Sequence, residues 1–555
     1  MSRSSLFRQL ARSMRIGKFC NERNLSTQDG IAEYRRLEEA HRAQTLKRRE
    51  LLTSMGKLAA AGAVVAATQP LSKAFAAPPS PATPSIAIIG AGLAGLSCAD
   101  TLATSGIAAT IHEASNRAGG RCHTYGTAFG APTDLFPGQV AERGGEFIDN
   151  LHKYMLGYAQ RFGLAKEDVT KVPGDIFYYF NGVHYPESVV VEQYRQLVDS
   201  MHVDLRTLSG AASADSHNAG DVTFDYMDIE TYLNTRNAGP VIKAAVIEAY
   251  EAEYGLEAWQ QSALNFLLFI HADKRSKFTP FGVYSDERWH ITDGNQKIVQ
   301  GLASSIPGPI RYGEKLVAAK KNSAGDVVLT FDTPGGTRTF TYDAVVISIP
   351  FTVLRGVQLD RSLGFPQWKT DAINKLGYGM NAKMMIGFKG KYWEGLGNNG
   401  TLYSNQPNVQ TTWETNPTRA THQYAILTDY SSGSRGKNLR PGAVQTEASK
   451  FIADLDKSLP GASANVRRDS SGKIVAHLEH WPSNPLTLGS YTCYTPGQFT
   501  TLCGNEGKPV GNVYFAGEHA NSFYVWQGFM EGAVYSGIDA ANMVLEDIKW
   551  GRLFA

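Results

Sequence analysis

Short apolar runs that end in glycine mark both ends of the main body of this chain, and between them lies a long stretch with apolar residues at helical spacing. Residues 86–89 form a β-favouring run that enters Gly90, Gly92 and Gly95, and 96–103 follow with a helical pattern. A second such run, 108–112, ends at Glu113. Residues 176–185 read as a hairpin around Asn181-Gly182. Residues 188–272 have helical periodicity, clearest in 244–254 and 259–270. Strands are predicted again at 312–321, 326–331 and 344–349, in the apolar stretch 381–386, and at 513–515 before a last helix. Strands and helices that alternate at the ends, with a helical insert, predict an α/β chain folded as two domains (α+β overall).

The glycine spacing gives the first strand–turn–helix its chemistry. The first glycine permits a tight turn, the second lets backbone N–H groups approach a pyrophosphate, and the third lets helix and strand pack closely. Glu113, 18 residues after Gly95, stands where a carboxylate can accept hydrogen bonds from a ribose diol. The continuation Arg117-Ala118-Gly119-Gly120-Arg121 resembles the extended fingerprint of glutathione-reductase-type FAD proteins, specifically the flavin amine oxidase family of monoamine, polyamine and L-amino acid oxidases. That resemblance implies a Rossmann FAD-binding domain with a mixed sheet-plus-helices substrate domain, and FAD rather than NAD. Residues 141–149, with Gly144, Gly145 and Glu146, resemble the segment the family brings beside the isoalloxazine ring. Residues 290–298 resemble its return to the FAD domain, where backbone near Leu316 and Val317 would hold the adenine. Residues 513–519 and 528–537 resemble the C-terminal flavin site, which implies cofactor contacts for Gly517, Glu518, Phe529 and Met530. The expected division is a leader at 1–76, a Pro-rich linker at 77–84, FAD-binding parts at 85–150, 290–350 and 506–555, and substrate-domain parts at 151–289 and 351–505.

Lys383 interrupts an apolar strand, where a charge is costly to bury without a purpose. It matches the family lysine that holds a water against flavin N5. Tyr491 matches one aromatic of the amine cage and Phe529 the second. Ser490 stands where monoamine oxidases attach flavin through cysteine, so noncovalent FAD is expected. The implied reaction is hydride transfer from the amine-bearing carbon to flavin N5, giving ammonia or a shorter amine and hydrogen peroxide. Phe147 falls where vertebrate-type L-amino acid oxidases place the carboxylate-binding arginine. Arg143 or Arg288 could substitute, and Glu146 could instead pair with a cationic tail. Basic L-amino acids come slightly ahead of polyamines or monoamines. A desaturase or porphyrinogen-type oxidase, a noncatalytic flavoprotein, and a quinone- or cytochrome-linked dehydrogenase stay open.

At 555 residues, with 43% hydrophobic content, the chain needs two cores. Its net charge of +2 divides unevenly: residues 1–76 carry +8 and the remainder −6, so an acidic body makes nucleic acid an unsuitable partner. The basic segment resembles a bacterial twin-arginine signal, with Lys47-Arg48-Arg49-Glu50-Leu51-Leu52, an apolar run at 58–67 and Ala74-Phe75-Ala76 for a peptidase. It implies the twin-arginine export machinery as partner, removal near Ala76 and a periplasmic location; a disordered basic tail is the alternative. The run is too short for a membrane span. About 45 residues precede the arginines, long for such a signal, and a mis-set start or a second targeting element would each explain them. Five cysteines form no metal-ligand spacing and no disulfide framework, although Cys493 and Cys503 could pair in an exported protein.

Overall fold

The computed structural model describes residues 16–17, 19–21, 23, 25–34, 84–270, 286–417 and 424–553. The twin-arginine-type segment and nearly all of the Pro-rich linker lie outside them. A five-stranded parallel sheet forms the first lobe, in the order Val513–Phe515, Ala344–Ile347, Ile86–Ile89, Thr110–Glu113, Ile310–Tyr312. The central strands are apolar throughout because helices cover both faces of such a sheet. Helices Leu93–Thr104 and Met530–Lys549 pack against each other, and the Ser97 hydroxyl donates to the Val534 carbonyl at 3.0 Å. A Cβ on Gly95 would sit 2.0 Å from the Gly90 carbonyl oxygen, so the third glycine of the turn is a packing requirement.

The second lobe carries a mixed seven-stranded sheet, ordered Ala476–His480, Ala382–Phe388, Ala425–Ser431, Val409–Glu414, Asn398–Gln406, Asp175–Phe180, Val183–Tyr185. Its last two strands form the expected hairpin, with Asn181 and Gly182 both left-handed (φ 53° and 81°), as a two-residue turn requires. Helices Glu187–Leu205, Pro240–Tyr254 and Ala263–Ile270 cover part of this lobe.

Three expectations are corrected. Residues 312–321 are two strands in different sheets, Ile310–Tyr312 and Lys315–Lys321, because Gly313 turns the chain at φ 73°. Residues 259–270 are a 3₁₀ turn, Ala258–Gln260, and a separate helix starting at Ala263. Side chains of the residues between compete with the helix: Gln261 donates to the Tyr250 and Leu256 carbonyls, and Ser262 to Asp225. Strand Gln358–Leu359 pairs with Lys315–Lys321, so the sheet built by this passage continues past the expected boundary at 350. All five cysteines are buried and free, so Cys493 and Cys503 are not joined.

Candidate functional site

A cleft runs from the glycine-rich turn to the N-terminus of the last helix. Its wall includes Gly90, Gly92, Glu113, Arg117, Gly120, Arg121, Gly517, Glu518, Phe529 and Met530, ten of the expected cofactor residues drawn from three distant stretches of chain. Helices Leu93–Thr104 and Met530–Lys549 both reach this cleft with no side chain capping their N-termini. Their first N–H groups are therefore available to an anion at one end and to an electron-rich ring at the other. A Cβ on Gly92 would meet no protein atom within 4 Å, so the cradle is open where a diphosphate would lie.

The polar groups along the wall are fixed in advance. Glu113 accepts from the Ala91 and Ser115 N–H groups, both at 2.8 Å, which orients its carboxylate at the ribose end. Arg121 donates to Glu518 at 2.9 Å and to the Ser490 carbonyl at 2.6 Å. Burial alone would raise the Glu518 carboxyl, but Arg121 and the Thr492 hydroxyl hold it below its ordinary value, so it stays charged. His123, close behind, is driven well down by burial and by Arg117 and Arg143; the positive charge is left to the two arginines. Donor-rich helix ends, guanidinium charge and an oriented carboxylate fit the diphosphate and ribose of FAD.

Five of the expected cofactor residues stand off the cleft wall. Gly95 packs helix on strand. A Cβ on Gly144 would lie 1.7 Å from the Arg121 carbonyl oxygen, and Gly145 donates to that same carbonyl at 3.1 Å, so this pair fixes the Arg121 backbone from behind. Val317 sits at a slip in strand register between Leu316 and Ala318, while Lys315 and Leu316 form the wall.

The fifth is Glu146, which belongs to the second half of the site. Lys383 is on an interior strand, 2% exposed, between Ala425–Ser431 and Ala476–His480. Its ammonium donates to Glu146 Oε2 at 2.6 Å, to the Gly144 carbonyl at 2.9 Å and to the Glu142 carbonyl at 3.1 Å. Those contacts use all three of its donors. Glu146 Oε1 accepts from the Trp413 indole at 2.9 Å, so each carboxylate oxygen already has a partner inside the protein. The lysine lies 5.5 Å from the Trp413 ring and 5.7 Å from that of Tyr430. Phe147, Val169, Trp413, Tyr430 and Tyr491 make one buried apolar cluster. Tyr430 donates to the Tyr491 oxygen at 3.1 Å, and Tyr491 donates to the Glu253 carbonyl at 2.5 Å. Phe529 packs against His152 and Trp526, with ring centroids 5.3 and 5.6 Å away.

Neither arginine considered for a substrate carboxylate is unengaged. Arg143 pairs with Glu479, and Arg288 pairs with Asp168 at 3.1 Å and Asp286 at 3.6 Å. Acidic groups surround the cluster instead. Burial raises the Tyr430 phenol well above its ordinary value, and negative charge on Glu253, Glu287 and Glu146 adds to the rise. Glu287, 1% exposed, holds a left-handed backbone (φ 41°), an uncommon state for a residue with a side chain and one often found at functional sites. Trp413, Tyr430, Glu253 and Glu287 were not legible as site residues, since none lies in a spaced motif. The aromatic richness of 409–430 and the acid-bearing end of 240–254 were the only signals.

The family described as flavin containing amine oxidoreductase matches residues 93–545. A probable polyamine oxidase of Arabidopsis thaliana is 24% identical, covering 83% of this chain and 86% of its own length. A flavin-dependent L-tryptophan oxidase of Lentzea aerocolonigenes is 25% identical over 83% and 97%. Among solved structures, cyclohexylamine oxidase from Brevibacterium oxydans superposes with a TM-score of 0.70 at 20% identity, over 84% of this chain and all of that one. A putrescine oxidase bound to putrescine gives 0.68 at 18%, over 83% and 99%. At these identities the two structures establish the fold.

Proposed function

Because the chain belongs to the flavin containing amine oxidoreductase family, we propose that it is an oxidase of amines carrying a further positive charge, the class that includes polyamines and basic L-amino acids. FAD is its cofactor; when bound it accepts two electrons from the amine-bearing carbon, and in this reading it passes them to oxygen. Noncovalent attachment is supported by Ser490, whose hydroxyl cannot form a thioether and donates to Asn381 at 2.5 Å. The protein's own part is to bind and orient. The aromatic faces of Phe147, Trp413, Tyr430 and Tyr491 exclude water and present an apolar surface to the carbon next to the amine. The Lys383–Glu146 pair holds the 141–148 segment against the seven-stranded sheet of the second lobe.

The observation that supports the substrate class is the set of buried carboxyl groups near Tyr430, those of Glu253, Glu287 and Glu146, which supply acceptors for a cationic group. Within that class, the engaged Arg143 and Arg288 count toward a polyamine, and the L-tryptophan oxidase relative toward an amino acid. Peroxide release from putrescine, spermidine, lysine, arginine and phenylethylamine tests the reading, with Glu287→Gln beside the native enzyme. The dicationic substrates are expected to be turned over, and Glu287→Gln to raise their KM about tenfold, the effect of losing ~1.4 kcal/mol of attraction. Turnover confined to phenylethylamine would overturn it. Export to the periplasm is also proposed, supported by the 47–76 sequence alone.

A further inference from the structure

The described residues between 16 and 34 precede the twin-arginine-type segment, yet they are docked on the folded enzyme. The chain is helical at 16–17, 19–21, 23 and 27–34, and lies along helix Glu187–Leu205. Ile16, Cys20 and Tyr34 are buried in one apolar cluster with Val191, flanked by Phe19 and Ile31. The fit is close: a Cβ on Gly30 would come 1.9 Å from the Cys20 sulfur, and one on Gly17 2.9 Å from Arg195 Cγ. Polar contacts edge the patch. Arg195 donates to Asn21 Oδ1 at 2.7 Å and to the Thr27 hydroxyl at 3.1 Å. Asn21 donates back to the Arg195 carbonyl at 3.2 Å, and the Thr27 hydroxyl donates to Glu192.

A leader that is cut away and discarded needs no complementary surface on the enzyme it leaves. We propose that residues 16–34 are a lasting component of the substrate lobe, a ligand for helix Glu187–Leu205 supplied by the chain itself, which stays bound when the chain is cut between 35 and 83. The docked face is coupled to the amine site. Gln193, between Glu192 and Arg195, accepts from the N–H groups of Val241 and Ile242 at 2.8 and 3.0 Å and so holds the start of helix Pro240–Tyr254. The other end of that helix offers the Glu253 carbonyl to Tyr491. The segment therefore braces the helix that positions one aromatic of the cluster, a consequence that rests on the function proposed above; the docking itself does not.

The test uses the full-length holoenzyme with a protease site inserted between residues 77 and 84. After cleavage, gel filtration without denaturant and intact-mass analysis of the enzyme peak report whether the N-terminal fragment stays with the body. One fragment per body is expected, with loss of the fragment in Arg195→Ala and in Gly30→Val, where a side chain must displace Cys20. Separation of the wild-type fragment overturns the proposal, and so does full retention in both variants. This readout needs no substrate, so it can fail or succeed independently of the amine oxidase reading. Where the wild-type fragment is retained, its loss in Arg195→Ala is expected to raise KM several-fold over wild type with little change in kcat, the split a bracing role predicts.

Discussion

The two ends of the site are built by different means. At the nucleotide end the chain offers backbone: helix N-termini, closely packed glycines, and Glu113 anchored to N–H groups two residues on and 22 residues back. At the proposed amine end it offers side chains from residues 146–147, 383, 413, 430 and 491, joined by one buried ion pair and a short chain of hydrogen bonds that ends on the Glu253 carbonyl. Backbone contacts tolerate no added atom but ignore side-chain identity elsewhere, whereas the side-chain cluster tolerates changes of shape but depends on charge balance. Substitutions should therefore fail in different ways at the two ends.

The largest effect is expected for Gly95→Ala, whose Cβ must displace the Gly90 carbonyl; this costs ~3 kcal/mol or more and removes both bound flavin and cooperative thermal unfolding. Lys383→Met should come next. It leaves the buried Glu146 carboxylate without its cation, at a cost of about 3–5 kcal/mol, and should lower Tm while flavin stays bound. Adding Glu146→Gln should restore much of the loss; a double variant no more stable than the single one would mean that the pair does not set the cost.

Glu142 gives a pH-dependent test. Burial pushes its carboxyl up to about 7 from 4.5, so the folded state holds a proton that the unfolded state has released. Its contribution is fully present below about pH 4.5 and lost as pH rises through about 7. The stability of the native protein relative to Glu142→Gln should therefore fall over that window, by on the order of 3 kcal/mol, and stay flat on either side. Urea unfolding at several pH values measures it. Smallest is Gly92→Ala. Its Cβ meets no protein atom, so the unliganded fold should be untouched while FAD affinity drops about tenfold, or ~1.4 kcal/mol. Normal flavin binding would detach that glycine from the cofactor.

The same contrast decides what could be read in advance. Gly90, Gly92, Glu113, Arg117 and Arg121 were legible because backbone recognition requires glycines and charges at fixed local spacing, and that spacing is written in the chain. Lys383 was legible as a charge inside an apolar strand, but its partner was not. Glu146 lies 237 residues earlier, and only the folded sheet brings the two together. Trp413 and Tyr430 occupy strands whose residues are nearly all buried, so no alternation of apolar and polar positions marked the two as lining a site. The break at Gln261 and Ser262 was hidden for a related reason. Both are ordinary in a helix until Asp225 and the 250–256 carbonyls offer their side chains better partners.

The central claim is that the cleft holds FAD and the acid-flanked aromatic cluster feeds it a cationic amine. Anaerobic mixing of the purified holoenzyme with putrescine, spermidine, lysine, arginine and phenylethylamine in turn, followed by air, tests it most directly. The account predicts bleaching of the flavin absorbance by one or more of the first four, and rapid recovery with stoichiometric hydrogen peroxide. No bleaching by any of those four, or bleaching that air does not reverse, would contradict it.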